Sequence, residues 1–296
     1  MTLLRKSTIV RAKLASVRLL FRGMERLAPG LGSVIALRLW CTPRHAEPGP
    51  RPAAGPGTRY RVPVNGSTVV AETWGHGPVI YLVHGWGGHR DQLGDLVAPL
   101  NSAGYQVVAF DAPSHGESAP GLLGPRRANL PEFADALRAA VAYFGPAHAV
   151  IAHSLGAGAT ALAVLDGLPV SRLVLLAPMA EPVAYTDAFA HGLGFGERIR
   201  TGFLRRLERQ TGRPVADFDI PARAAGRTDL PPVLVVHDRR DREVRYADGV
   251  AIAQTWPEPT LVSTDGLGHR RLLRDRAVLG EVHGFVTARD PLRKAG

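Results

Sequence analysis

Between residues 78 and 264 the sequence repeats one pattern: short, unbroken apolar runs separated by stretches of helical periodicity. The runs are PVIYLVH (78–84), QVVAF (106–110), HAVIAH (148–153), RLVLLA (172–177), VLVVH (233–237) and TLVST (260–264). A run that is apolar at every position, with no polar alternation, is what a strand needs when both its faces are covered. Between the runs, helices are expected over 91–102, 155–167 and 246–255, and a last one beyond His269. Phe133, Leu137, Val141 and Phe144 mark one face of a further helix. Strands alternating with helices predict an α/β fold with a mostly parallel sheet, helices on both faces. Ahead of this series, 62–64 and 68–73 read as a hairpin turning at Asn65-Gly66, a pair that tolerates the positive φ of a tight turn.

The flanking segments differ in kind. Residues 1–45 carry nine basic residues against one acid, Glu25, and Leu14, Val17, Phe21 and Met24 recur at helical spacing. This predicts a basic amphipathic helix packed on the main domain, with a weak contact to an anionic membrane surface as the second reading. Residues 46–58 (AEPGPRPAAGPGT) form a Pro/Gly-rich linker, and the main domain is expected over 59–290. Residues 179–230 are too long for a simple connection and hold Phe189, Phe195 and Phe203, so a helical cap over the sheet's carboxyl edge is expected there. The net charge of +10 is read as an arginine-rich exterior with no nucleic-acid partner. One cysteine, Cys41, excludes an internal disulfide and a cysteine-rich zinc site. No apolar stretch is long enough to span a bilayer, and Arg18 and Arg22 interrupt what would be the core of a signal peptide, so a cytoplasmic protein is expected.

The chemistry centres on IAHSLGAG, residues 151–158. An apolar strand runs straight into Ser154, and small residues follow. A serine on such a strand-to-helix turn stands exposed above the sheet, provided its neighbours two positions away are small enough for the two backbones to approach. Gly156 is one such neighbour; Ala152 stands where the common pattern G-x-S-x-G has glycine. The loop HGWGGH (84–89) closes the first central strand. Acyl transfer places negative charge on the former carbonyl oxygen, and backbone N–H groups aimed at it stabilise it. The N–H groups of Trp86 and Leu155 are the expected donors, while His84 and His89 are read as structural.

HGWGGH, then DAPSHGES (111–118), AHSLGAG, HDRRDREV (237–244) and GLGHRRLL (266–273) together resemble the ordered signature of the α/β-hydrolase family, in particular its cap-bearing esterases and lipases. The resemblance covers roughly residues 58–288. It implies an eight-stranded, mostly parallel sheet and a triad in the chain order serine, acid, histidine. On that pattern Ser154 is the nucleophile, Asp241 the acid and His269 the base. Histidine chemistry supports the last assignment independently, since a serine hydroxyl needs a base that titrates near the working pH. Asp238, Asp265 and Glu181 are the alternative acids; Asp238 is read as shaping its turn. Serine at 154 sets the chain apart from the dehalogenases and epoxide hydrolases of this fold, which carry aspartate there. The implied activity is hydrolysis of a small carboxylic ester through an acyl-enzyme, with no cofactor and no metal. Acyl transfer or peptide hydrolysis by the same triad, or a non-catalytic binding role, are the alternatives.

Overall fold

The computed structural model describes residues 2–43 and 55–288, with side chains described from Leu14 onward. Contacts divide the chain into two compact units: Met1–Thr42 with Glu181–Asp219, and Pro43–Ala180 with Ile220–Gly296.

The larger unit is built on eight strands: β1 (Thr58–Val64), β2 (Ser67–Trp74), β3 (Val79–Val83), β4 (Gln106–Phe110), β5 (Ala147–His153), β6 (Val170–Leu176), β7 (Val233–Asp238) and β8 (Pro259–Thr264). They lie in the order β1-β2-β4-β3-β5-β6-β7-β8. The pairs β1–β2 and β2–β4 are antiparallel and the rest are parallel. The hairpin turns where expected, with Asn65 at φ 46° and Gly66 at φ 75° and Val64 opposite Ser67. On the edge strand β1 burial alternates, Val62 and Val64 inside and Arg61 and Pro63 out; an edge tolerates a proline that cannot donate. On β3 every residue is buried, because helices cover both faces.

The residues expected as linker, 46–58, fall largely outside the described residues; the last, Thr58, begins β1. Over the expected helix 91–102 the chain forms a 3-10 turn (Arg90–Leu96) and then a helix (Val97–Ser102).

α1 (Thr2–Leu27) and α2 (Pro29–Trp40) precede the sheet. α3 (Val97–Ser102), α4 (Leu130–Phe144) and α5 (Ser154–Leu165) cross between strands. α6 (Tyr185–Leu193) and α7 (Glu197–Thr211) belong to the insertion, and α8 (Ile220–Ala224) returns the chain to the larger unit. α9 (Tyr246–Thr255), α10 (Gly268–Arg271) and α11 (Arg276–Thr287) complete the larger unit. α4 starts at a capping box: Glu132 N–H donates to the Asn129 side chain at 3.0 Å, and Asn129 N–H to the Glu132 carboxylate at 3.1 Å. No described helix is long and apolar enough to cross a membrane.

The smaller unit brings together segments that read as separate in the sequence. Phe21, Met24 and Ala36 of α1 and α2 form one apolar core with Ala190, Phe195, Ile199 and Phe203 of the insertion. The three phenylalanines of the insertion thus pack against aromatic partners in their own unit, Phe195 on Phe21 at 5.2 Å and Phe189 on Trp40 at 5.1 Å between ring centroids. Val17, Phe21 and Met24 face inward as their spacing predicts, while Leu14, a turn earlier, is exposed. The partner of the amphipathic α1 is therefore the insertion within this unit.

Candidate active site

β3 lies between β4 and β5, so the connections leaving β3 and β4 run to opposite sides. At such a point the loops beyond the strands' carboxyl ends diverge and leave a crevice, the usual ligand position in a parallel sheet. The site is assembled there. β5 ends at His153 and α5 begins at Ser154, which is held at φ 55°. A left-handed conformation costs a non-glycine residue about 1–3 kcal/mol and persists only where the surroundings dictate it. They do so here. A Cβ at Gly156 would collide with the carbonyl oxygen of His84 at the end of β3. At Gly85 it would stand 2.8 Å from His153 Nδ1 and 3.0 Å from Ser154 Cβ. The departure from the common motif, Ala152, is fully buried on β5 between Val83 and Leu175.

Ser154 Oγ lies 3.0 Å from His269 Nε2, and His269 Nδ1 lies 2.7 Å from Asp241 Oδ2. The carboxylate can only accept, so the Nδ1 proton points to Asp241 and Nε2 is left to accept from the serine. The Asp241 side chain is wholly buried. Its Oδ1 accepts the N–H groups of Glu243 at 2.8 Å and Val244 at 3.0 Å. Burial pushes this carboxyl upward, but hydrogen bonds from His237, His269 and Val244 outweigh it and hold it well below the usual carboxylate range. His269 stands in the short helix α10, where the glycines before it predict a loop.

Two histidines that the sequence reading did not single out complete this arrangement. His237 Nε2 lies 3.4 Å from Asp241 Oδ2 and 3.3 Å from the Val244 carbonyl. His153 Nε2–H donates to the backbone carbonyl of His269 at 3.0 Å, and its ring lies 4.6 Å from the His269 ring. Burial, reinforced by the neighbouring His269, pushes His153 down to about 3, so it is neutral near neutrality. Both close apolar runs. A titratable ring at the buried end of a strand must find a partner, and that is the signal that could have found them.

The loop after β3 is braced from three sides. Gly85 N–H donates to Gln92 Oε1 at 2.8 Å, Gly87 N–H to His115 Nε2 at 3.1 Å and Gly88 N–H to the Gly85 carbonyl at 3.0 Å. Of these four successive amides, Trp86 N–H alone has no acceptor among the described residues. The same holds for Leu155 N–H in the first turn of α5, where the helix dipole places partial positive charge. His84 is structural, as expected: Nδ1–H donates to the Gly85 carbonyl at 2.7 Å and Nε2 accepts Ala112 N–H at 2.9 Å. Burial pushes it down to about 4.

The DAPSHGES motif serves the same loop. Asp111 accepts Arg90 N–H at 2.7 Å and Glu117 N–H at 2.9 Å, and pairs with the buried Arg90 guanidinium, whose Nε reaches Glu72 at 3.0 Å. Breaking such a buried pair costs about 3–5 kcal/mol, because it strands a charge.

Of the alternative acids, Asp238 accepts Thr264 Oγ1–H and Leu267 N–H at 2.7 and 2.8 Å, together with Arg240 N–H at 2.9 Å. Burial raises this carboxyl, but those donors prevail and bring it down to about 2. It thus ties down the loop that carries His269. Asp265 is paired with Arg240, and Glu181 directly precedes the first turn of the insertion, Pro182–Ala184, with no side-chain capping hydrogen bond to it. The carboxylate that meets the imidazole is that of Asp241. Among the described residues no group of three His, Cys, Asp or Glu side chains is placed to hold a metal ion.

Comparison with known proteins follows the same lines. The sequence model of the Alpha/beta hydrolase family matches residues 80–281. Over 154 residues, 50% of this chain, the sequence is 31% identical to the dihydrolipoyllysine-residue acetyltransferase component of an acetoin cleaving system from Cupriavidus necator, covering 36% of that protein. Over 146 residues, 46% of this chain, it is 29% identical to a non-heme haloperoxidase of Rhodococcus erythropolis, covering 52% of that protein. The matches thus span only about a third to a half of these curated relatives. An esterase of Pyrococcus furiosus superposes with a TM-score of 0.62 at 17% identity, over 83% of this chain and 96% of that one. An esterase of a Rhodococcus species superposes with a TM-score of 0.57 at 17% identity, over 78% and 98%. At such identities the likeness is one of fold.

Proposed function

Since this chain belongs to the α/β-hydrolase family, we propose that it hydrolyses carboxylic esters through a covalent acyl group on Ser154. Ser154 Oγ attacks the ester carbonyl while His269 Nε2 takes its proton. The carbonyl oxygen gains negative charge and is held by the free N–H groups of Trp86 and Leu155, at the positive end of α5. His269 then returns the proton to the departing alcohol, leaving the acyl group on Ser154. A water, deprotonated by His269, attacks that acyl group; the acid leaves and Ser154 regains its proton. Asp241 stays ionised throughout, fixing the imidazole tautomer and offsetting the positive charge that the ring acquires. His153 and His237 are positioning residues, the first for the backbone of His269 and the second for Asp241.

The observation that carries this reading is the unbroken hydrogen-bond chain from Ser154 through His269 to Asp241, at 3.0 and 2.7 Å, starting from a serine in left-handed conformation. The solved esterases of the same fold favour an ester substrate. The acetyltransferase relative supports a second outcome of the same chemistry, in which an acceptor other than water takes the acyl group. The test is labelling by a fluorophosphonate probe, with hydrolysis of p-nitrophenyl esters of graded acyl length. Ser154→Ala should abolish labelling and lower kcat by about 10⁵- to 10⁶-fold. Equal labelling of the variant, or esters left intact by a chain that labels at Ser154, would overturn the esterase reading. Product carried preferentially onto an added alcohol or thiol would favour transfer.

A further inference from the structure

A surface helix normally keeps its apolar residues on the face it buries and its polar ones outside. α1 and α2 do not. Their inner faces are already occupied, with Phe21, Met24 and Ala36 in the core of the smaller unit. Yet Leu19, Leu20 and Leu27 of α1 are 72%, 58% and 89% exposed, and Leu31 and Val34 of α2 are 57% and 44% exposed. Leu20 and Leu27 lie seven residues apart, on one side of the helix; Leu19, Arg22 and Arg26 follow the same helical spacing beside them. Arg22, Arg26 and Arg38 are exposed, and among the described residues no carboxylate pairs with them.

The one acid in this segment is engaged elsewhere. Glu25 caps the start of α7, accepting N–H groups from Gly196 at 3.1 Å, Arg198 at 2.9 Å and Ile199 at 3.2 Å. The negative charge is thereby spent on the positive end of a helix, and the outer face is left with leucine and arginine. Upstream, the sequence under α1 adds Arg5, Lys6, Arg11 and Lys13 and no acid.

We propose that α1 and α2 dock this protein on anionic lipid bilayers. The leucines enter the boundary of the acyl chains, and the flanking arginines meet the lipid phosphates. Charge complementarity selects this occupant. In a symmetric dimer the same patch meets itself, which would set unpaired guanidiniums against each other with no carboxylate between them. Nucleic acid would take up the arginines but would leave the leucines in water. A bilayer containing acidic lipids satisfies both, and no described helix is long and apolar enough to cross it.

The test is co-sedimentation of the full chain with vesicles of phosphatidylcholine alone and of phosphatidylcholine and phosphatidylglycerol in equal parts. Binding is expected to the mixed vesicles only, and to fall as salt is raised. Each basic side chain near such a surface is worth about a factor of five, so Arg22→Gln with Arg26→Gln should weaken binding roughly thirtyfold. Leu20→Ser with Leu27→Ser should weaken it at least about tenfold. Circular dichroism checks that the variants keep their helices; if the leucine pair misfolds, the arginine pair decides. The proposal is overturned if the chain ignores mixed vesicles or binds both kinds equally. It is also overturned by duplex DNA binding as tight as vesicle binding that survives the leucine changes, or by a vesicle-free dimer that those changes dissolve.

Discussion

The two units of this protein have different kinds of interior. In the smaller unit the core is apolar, built from Phe21, Met24, Ala36, Ala190, Phe195, Ile199 and Phe203. In the sheet unit the interior also holds Glu72, Arg90, Asp111, His84, His115, His153, His237, Asp238 and His269. Every buried acid, arginine and histidine among the described residues belongs to that unit. Apolar packing is non-directional and tolerates exchange of one side chain for another of similar volume. Buried polar groups must be placed to within hydrogen-bond geometry or they destabilise. Polar burial is thus concentrated where atoms must be held at fixed distances, around the loops that present Ser154, Asp241 and His269.

Substitutions that separate geometry from packing sharpen this contrast. The largest effect is expected at Asp241. Asp241→Asn should keep the fold by circular dichroism while kcat on an activated ester falls about 10⁴-fold. Asp238→Asn should lower Tm and leave kcat within about tenfold of wild type, as its partners are backbone and a threonine. A crippling Asp238→Asn beside a nearly silent Asp241→Asn would reverse the two roles.

In the smaller unit the response should be thermodynamic and local. Phe203 is fully buried, and Phe203→Ala should cost about 3–5 kcal/mol. Hydrogen exchange should show protection lost in α1, α2, α6 and α7 while the strands keep theirs. Equal loss in the strands would mean that the two units unfold as one, and the contrast would fail.

The smallest effect is a pH dependence confined to the sheet unit. His84 and His153 are pushed by burial from 6.5 down to about 4 and about 3. As pH falls below 6.5 the unfolded chain takes up protons that the folded chain refuses, so the stability these neutral rings contribute is present above 6.5 and is lost as pH falls towards those values. Tm should therefore decline across that window, and His84→Gln should make the decline shallower by about one proton's worth of slope. An unchanged slope would show that His84 does not titrate as its burial implies.

Much of the sheet unit was legible in the sequence, for a physical reason. Strands buried on both faces must be apolar throughout, so QVVAF coincides with β4, and the helix expected over 246–255 is α9. Ser154 could be read from a strand meeting a run of small residues, and the left-handed serine is the backbone form of that pattern. Asp241 came from family resemblance, as spacing alone does not separate it from Asp238. The four-residue helix that holds His269 is shorter than any periodicity can register. An amphipathic stripe says that a face of α1 is buried and not what buries it; the residues that do so, Ala190, Phe195, Ile199 and Phe203, come from the insertion. Seen along the chain, α7 is more than 150 residues away from the helices it packs against.

The backbone of Ser154 carries a consequence for how such a chain can be improved. A residue held at φ 55° would be more comfortable as glycine, which adopts that region freely. Selection for heat tolerance alone would therefore favour losing the hydroxyl, and, on the role proposed for Ser154, a library ranked by melting temperature would enrich inert proteins. On that proposal activity must be screened alongside stability, because at this position the two would have opposite optima.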